Sequence, residues 1–180
     1  MAGSTNSVPK LDVTALDKTT VMSAGLRTHL QEAAYVMLSG YHKPPTTSAK
    51  LVEGDSGSQR DAEVLWREPT DLEVSTHQNS KDATEYAAYA LAAAFVHATE
   101  GFTLVGRMPQ GTGADFWMLR DSDNEDDIVR VEASGIADGH LGKRLREKVD
   151  QILKGNSNLP GLAFVARFAQ SHMHAERVKL

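Results

Sequence analysis

The sequence predicts a mixed α/β fold: a central sheet flanked by helices, with a helical extension at the N-terminus. Three observations predict it. Apolar residues recur at helical spacing over residues 19–39 and again over Asp82–Thr99. Three short apolar runs, Phe102–Arg107, Ala114–Arg120 and Ile128–Ser134, follow the second of these. A helical pattern over Lys143–Leu153 and a last apolar run over Leu162–Ala169 complete the order. From residue 82 the elements therefore read helix, three strands, helix, strand, which suits a mixed sheet with helices packed on it.

Taken in order, residues 1–18 read as a disordered tail, since the start is small and polar. Residues 19–60 read as a helix and a linker. Val21, Leu26, Leu30, Ala33, Ala34, Met37 and Leu38 give the helix its apolar stripe. Gly40 and Pro44-Pro45 stop it, and residues 43–60 are rich in Pro, Thr, Ser and Gly. An apolar stripe set apart by a linker suits a homodimer or partner interface. Residues 61–180 read as the α/β domain. Ala62–Trp66 is its first short strand, and residues 67–80 are polar and read as loop. Gly101 stops the long helix. Gly111-Thr112-Gly113 is a turn, the acidic stretch Asp121–Asp127 joins two strands, and Gly155 ends the last helix.

Composition narrows the function classes. The chain has 180 residues, enough to bury a core without staples. It has no cysteine, which excludes a disulfide framework, a thiolate zinc site and a cysteine nucleophile. No basic flank precedes an apolar run at the start, and Tyr86–Ala98 is too short to span a bilayer. The expectation is a cytoplasmic protein with no membrane partner. The formal net charge is −5, which counts against strong unaided DNA binding but leaves room for a local basic patch.

Two acids stand out in the strands. If Ala114–Arg120 and Ile128–Ser134 pair as a hairpin with Arg120 beside Asp127, Asp115 falls opposite Glu132. Opposed side chains on one face lie roughly 5 Å apart at Cβ, and two carboxylates there repel. A divalent cation would relieve this, because Mg²⁺ is commonly held by one or two carboxylates with water and phosphate. The plainer alternative is a pair of solvent-facing acids on an edge hairpin. Glu132 between Val131 and Ala133, and Asp115 beside Phe116 and Trp117, weigh against it. Glu85 is a third acid in the first turn of the long helix. It fits a capping box with Asp82 at the N-cap as well as it fits a site.

A helix bearing Glu85, a strand bearing Asp115 and a strand bearing Glu132 resemble the PD-(D/E)xK nuclease superfamily. Gly111-Thr112-Gly113-Ala114-Asp115 and Val131-Glu132-Ala133-Ser134-Gly135 resemble small bacterial proteins with the same pattern. The resemblance covers about residues 80–170 and implies a restriction-endonuclease-like fold. It implies Mg²⁺ or Mn²⁺ held by Glu85, Asp115 and Glu132, and DNA as substrate. The superfamily lysine would stand at position 134, which is Ser134 here. Lys143, Lys148 or Arg130 would have to replace it. If none does, the resemblance implies a catalytically silent interaction or adaptor subunit in a bacterial defence or DNA-processing assembly.

The remaining signals are weaker. Lys143-Arg144-Leu145-Arg146-Glu147-Lys148 is the one basic cluster, facing phosphates or simply solvated. Asp121, Asp123, Glu125, Asp127 and Glu132 follow EF-hand spacing, but Asp126 stands where glycine is needed and the flanks read as strands. His172 and His174 share a strand face without a third ligand. Tyr86 and Tyr89 read as helix packing.

Overall fold

The computed structural model describes residues 7–54, 58–120 and 127–179. Strand β1 (Lys10–Asp12) leads through a single 3₁₀ turn (Val13–Ala15) into a short helix, α1 (Leu16–Thr19). Helix α2 (Ala24–Ser39) is followed by strands β2 (Thr46–Glu53) and β3 (Ser58–Leu65). Then come α3 (Asp71–Thr76), α4 (Ser80–Glu100), β4 (Phe102–Arg107), β5 (Phe116–Arg120) and β6 (Ile128–Ile136). Helix α5 (Leu141–Lys154) and strands β7 (Gly161–Arg167) and β8 (His172–Val178) close the chain.

The strands form one mixed sheet in the order β1-β3-β2-β8-β7-β6-β5-β4. Strands β4, β5 and β6 are an antiparallel meander, and β6 pairs with β7 in parallel across the α5 connection. Helix α4 packs on one face beneath α2, and α5 packs on the other. Alternation along β6 explains the two layers. Val129, Val131 and Ala133 join the α4 core, while Glu132 and Ser134 point to α5. The alanines of α4, from Ala87 to Ala94, let it lie close to both the sheet and α2. Gly101, at φ 72°, ends α4 with its N–H on His97 O.

Several expectations are corrected. The segment 43–60 is not a linker, because Thr46–Glu53 alternates exposed and buried residues and lies inside the sheet between β3 and β8. The tail is ordered from Lys10, where β1 pairs in parallel with β3. Residues 67–80 hold α3, started by a capping box of Thr70 and Glu73. The first long helix begins at Ala24 with Ser23 as its cap, so residues 19–23 are outside it. Its apolar side, Leu30, Ala33, Ala34 and Leu38, is buried within the chain, with Leu26 and Met37 partly buried against the same core. Leu162–Ala169 is not the last strand: β8 follows and carries His172 and His174. Asp121, Asp123 and Glu125, which share EF-hand spacing in the sequence, lie outside the described residues. No helix among the described residues is long and apolar enough to cross a membrane.

Candidate functional site

The site begins with a match of two periodicities. Two residues along a strand advance about 6.6 Å, and four along a helix about 6 Å. Helix α5 runs against β6 so that both contacts form at this spacing. Lys148 Nζ donates to Glu132 Oε1 at 2.5 Å, and Arg144 Nε donates to Ser134 Oγ at 2.9 Å. Glu132 is 4% exposed and Lys148 8%. A buried ion pair of this kind needs close contact to offset the desolvation of both charges.

The predicted hairpin register holds. Leu119 pairs with Ile128 and Phe116 with Val131, as Arg120 beside Asp127 requires. At Asp115 the ladder changes. Its amide donates to Val131 O at 2.9 Å, and its Oδ2 accepts from Ala133 N at 3.0 Å. The carboxylate thus takes a backbone donor of β6 and is held next to Glu132.

Tyr89 packs as the sequence suggests, and it has a second role. Its hydroxyl lies 2.5 Å from Glu85 Oε1 and 3.0 Å from Asp115 Oδ1. Glu85 and Tyr89 are four residues apart on α4, the spacing at which helical side chains meet. That spacing is the signal the sequence offers for this contact. The capping reading of Glu85 is corrected: Asn79 is the N-cap and Asp82, bonded to Asn79 Nδ2, is the residue in the first turn. Glu85 is one turn further on and exposed, with its carboxylate turned to Tyr89.

Electrostatics follow from this crowding. Burial pushes the Glu132 carboxyl up to about 7. That value already includes the charge and side-chain hydrogen bond of Asp115, which raise it, and Lys148, which opposes them. Burial also raises the Tyr89 phenol, reinforced by the charge of Asp115, so it stays a neutral donor.

The three candidates for the missing lysine separate clearly. Lys148 enters the acid cluster. Lys143 is exposed and lines a different hollow nearer the start of α5. Arg130 is fully buried, with Nε on Leu159 O and Nη1 on Thr112 O, and so clamps loops together. Arg107 also lines the cavity of the site, with its guanidinium 4.9 Å from the Phe116 ring. That cavity, about 320 Å³, is walled by Asp115, Glu132, Gln151 and the 108–114 loop. Gly113, at φ 72°, lets the loop lie against the end of α5, where a Cβ would collide with Gln151 O. A larger hollow of about 540 Å³ lies between α2, α4 and the end of β6, but it is mainly apolar and holds none of these acids.

Among the described residues, no group of three His, Cys, Asp or Glu side chains is arranged to hold a metal ion. Asp115 and Glu132 are nonetheless adjacent oxygen donors of the kind Mg²⁺ and Mn²⁺ take, and their mutual repulsion is what a cation would relieve. Fold and site together define a mixed α/β protein with a buried acid–lysine cluster at the edge of a strand meander. No family model, curated protein or solved structure matches the chain.

Proposed function

We propose that the chain is a divalent-cation-dependent phosphodiesterase acting on DNA, of the restriction-endonuclease-like type, with Lys148 replacing the lysine absent at Ser134. The observation that carries this is the contact of Lys148 with Glu132 beside Asp115. The order from α4 onward, with Glu85 on a helix, Asp115 at the start of a strand and Glu132 on the next, supports the same reading. Asp115 and Glu132 would hold Mg²⁺ or Mn²⁺, with Glu85 completing the acidic set. When bound, the cation would lower the pKa of a water and offset charge on the phosphate. Lys148 Nζ holds positive charge where a phosphate oxygen or attacking water is to be oriented. Tyr89 fixes Glu85 and Asp115 relative to each other.

The test is calorimetric titration with Mn²⁺ of the wild type and of Asp115→Asn/Glu132→Gln, followed by DNA cleavage assays in Mg²⁺ and Mn²⁺. Binding that disappears in the variant, with cleavage in the wild type alone, is the expected result. No binding at millimolar Mn²⁺ overturns the reading.

One observation favours a second reading. Each acid of the cluster already has a protein donor: Lys148 for Glu132, Ala133 N for Asp115, and the Tyr89 hydroxyl for Glu85. A polar network satisfied in this way suits a silent relative that serves as an adaptor subunit. Absence of metal binding in the same titration would favour it.

A further inference from the structure

The basic segment of α5 does not act as one unit. Arg144 and Lys148 turn inward to Ser134 and Glu132. Lys143 and Arg146 turn elsewhere and line a hollow of about 490 Å³ with His140 and Arg167. Among the described residues, no acid lines this hollow. Lys143 and Arg146 form no ion pair among those residues, although the protein as a whole is acidic. Glu147, whose carboxyl Lys143 helps to hold down through charge, is paired with Arg144. Arg167 is set into the wall. Its Nη1 donates to Gly139 O at 3.1 Å, and Nη2 lies 3.3 Å from His172 Nδ1. Its Nε is buried with no hydrogen-bond partner. Arg146 Nη1 lies beside Gly142, 3.9 Å from where a Cβ would stand, so its guanidinium folds back over the start of the helix. The nearest carboxylate in sequence, Asp138, is bonded to Gly139 N and Gln170. Three positive charges around a concavity with no acid in its wall, in a protein of net charge −5, are a site for a polyanion.

Its position relates it to the acid cluster. Arg167 pairs with Ile136, four residues beyond Glu132 on β6. Four strand residues advance roughly 13 Å, about the axial reach of four nucleotides of one B-form strand. Both places border the same helix, α5.

We propose that the Lys143–Arg146–Arg167 hollow is a second phosphate subsite, holding the backbone of the DNA strand on the flank of the phosphodiester at the acid cluster. This rests on the phosphodiesterase reading, and it locates where that substrate is gripped. Backbone contacts of this kind position a strand without reading its sequence.

The experiment is fluorescence anisotropy of a labelled single-stranded DNA of roughly 12 nucleotides, and of its duplex, in metal-free buffer across a salt series. The proteins are wild type and Lys143→Ala/Arg146→Ala, both changes lying on exposed side chains. The variant should bind about tenfold more weakly, or worse, at low salt. Its log–log salt slope should fall by about 1.4 for the single strand or 1.8 for the duplex, as expected when two phosphates are no longer neutralised. Mn²⁺ titration of the same variant should match wild type, which also shows that it is folded. An unchanged slope, or a wild type that binds neither DNA, overturns the subsite. A changed slope without Mn²⁺ binding or cleavage keeps the subsite and removes the phosphodiesterase reading. Cleavage with an unchanged slope does the reverse.

Discussion

Lys148 and Glu132 meet one helical turn from the contact of Arg144 with Ser134. The first pair is a buried ion pair at 2.5 Å, the second a hydrogen bond at 2.9 Å. Position 134 therefore does not lack a cation nearby. A guanidinium from α5 reaches it, and an ammonium from the same helix reaches the acid two residues before it. The charge that the strand does not carry is supplied by the helix packed against it.

Glu132 makes stability depend on pH. Its carboxyl is pushed up to about 7 from an ordinary value of 4.5, first by burial and then by Asp115. A folded-state pKa above the unfolded one means that the folded protein binds the proton more tightly. The stabilisation is complete below about pH 4.5 and is lost as pH rises through about 7. The difference corresponds to about 3 kcal/mol. Glu73 works in the opposite sense outside this window. Its hydrogen bond to Arg67 lowers it to about 2, so its contribution is constant above pH 4.5 and is lost only on strong acidification. Urea unfolding of wild type and Glu132→Gln between pH 4.5 and 8 checks this. His77, His172 and His174, held below their ordinary value by burial, add stability with rising pH in both proteins, so the wild type should lose stability relative to the variant across the range. Parallel curves would remove Glu132 as the cause.

Relocating the lysine tests whether Lys148 is a functional substitute or only a structural partner. Lys148→Ala should lower any metal-dependent DNA cleavage roughly 10²-fold, the usual cost of one preorganised donor. Lys148→Ala/Arg144→Ala/Ser134→Lys returns an ammonium from the strand side while clearing the guanidinium now bonded to Ser134. Partial recovery of cleavage is the expected outcome, measured on supercoiled plasmid at fixed Mg²⁺. Full activity in Lys148→Ala would show that the lysine takes no part.

Much of this arrangement is legible in the sequence, for identifiable reasons. The Asp115–Glu132 neighbourhood follows from one register, the one that sets Arg120 beside Asp127 at the facing ends of the two apolar runs. Phe102–Arg107 reads at its observed limits because glycine precedes it and its residues are largely apolar or β-branched. The choice among Lys143, Lys148 and Arg130 is not legible, since it depends on the phase of α5 against β6, which only packing sets. Strand β2 escapes the pattern because its first inward residues are Thr47 and Ala49, too polar or small to stand out beside Ser48 and Lys50, and only Leu51 and Val52 at its end are large and apolar. The cap of α4 reads three residues late because Asp82 resembles one, whereas Asn79 holds that position.

Tyr89→Phe removes one hydroxyl and leaves the ring, which packs edge-on against Phe116 at 4.8 Å. Asp115 then keeps Ala133 N, and the one hydroxyl proton that ties Glu85 to the cluster and lies within reach of Asp115 Oδ1 is gone. Hydrogen bonds to charged groups contribute about 1.5–3 kcal/mol, so thermal unfolding should move to lower temperature by a corresponding amount. If the acids hold a cation, the loss of their positioning should also weaken Mn²⁺ binding about tenfold. Calorimetry at one pH reads both effects, and an unchanged Mn²⁺ affinity would make Tyr89 a purely structural residue.

Gly113→Ala probes how the roof of the cavity is built. Gly113 sits at φ 72°, where a side chain is strained, and a Cβ there would collide with Gln151 O and crowd Gly155. Gly155 makes the reciprocal approach, since a Cβ on it would collide with Thr112 O. The two glycines let the 108–114 loop lie on the last turn of α5, and Arg130 secures the contact from below through Thr112 O. Alanine at 113 should therefore lift the loop rather than unfold the sheet. The expected loss is about 1–3 kcal/mol, the scale for a residue held in such backbone space. Hydrogen exchange should show faster exchange for residues 108–115 and the end of α5, with β6 and β7 protected as in wild type. Slower or unchanged exchange in the loop would mean that the close approach of Gly113 and Gln151 is not what holds the roof down.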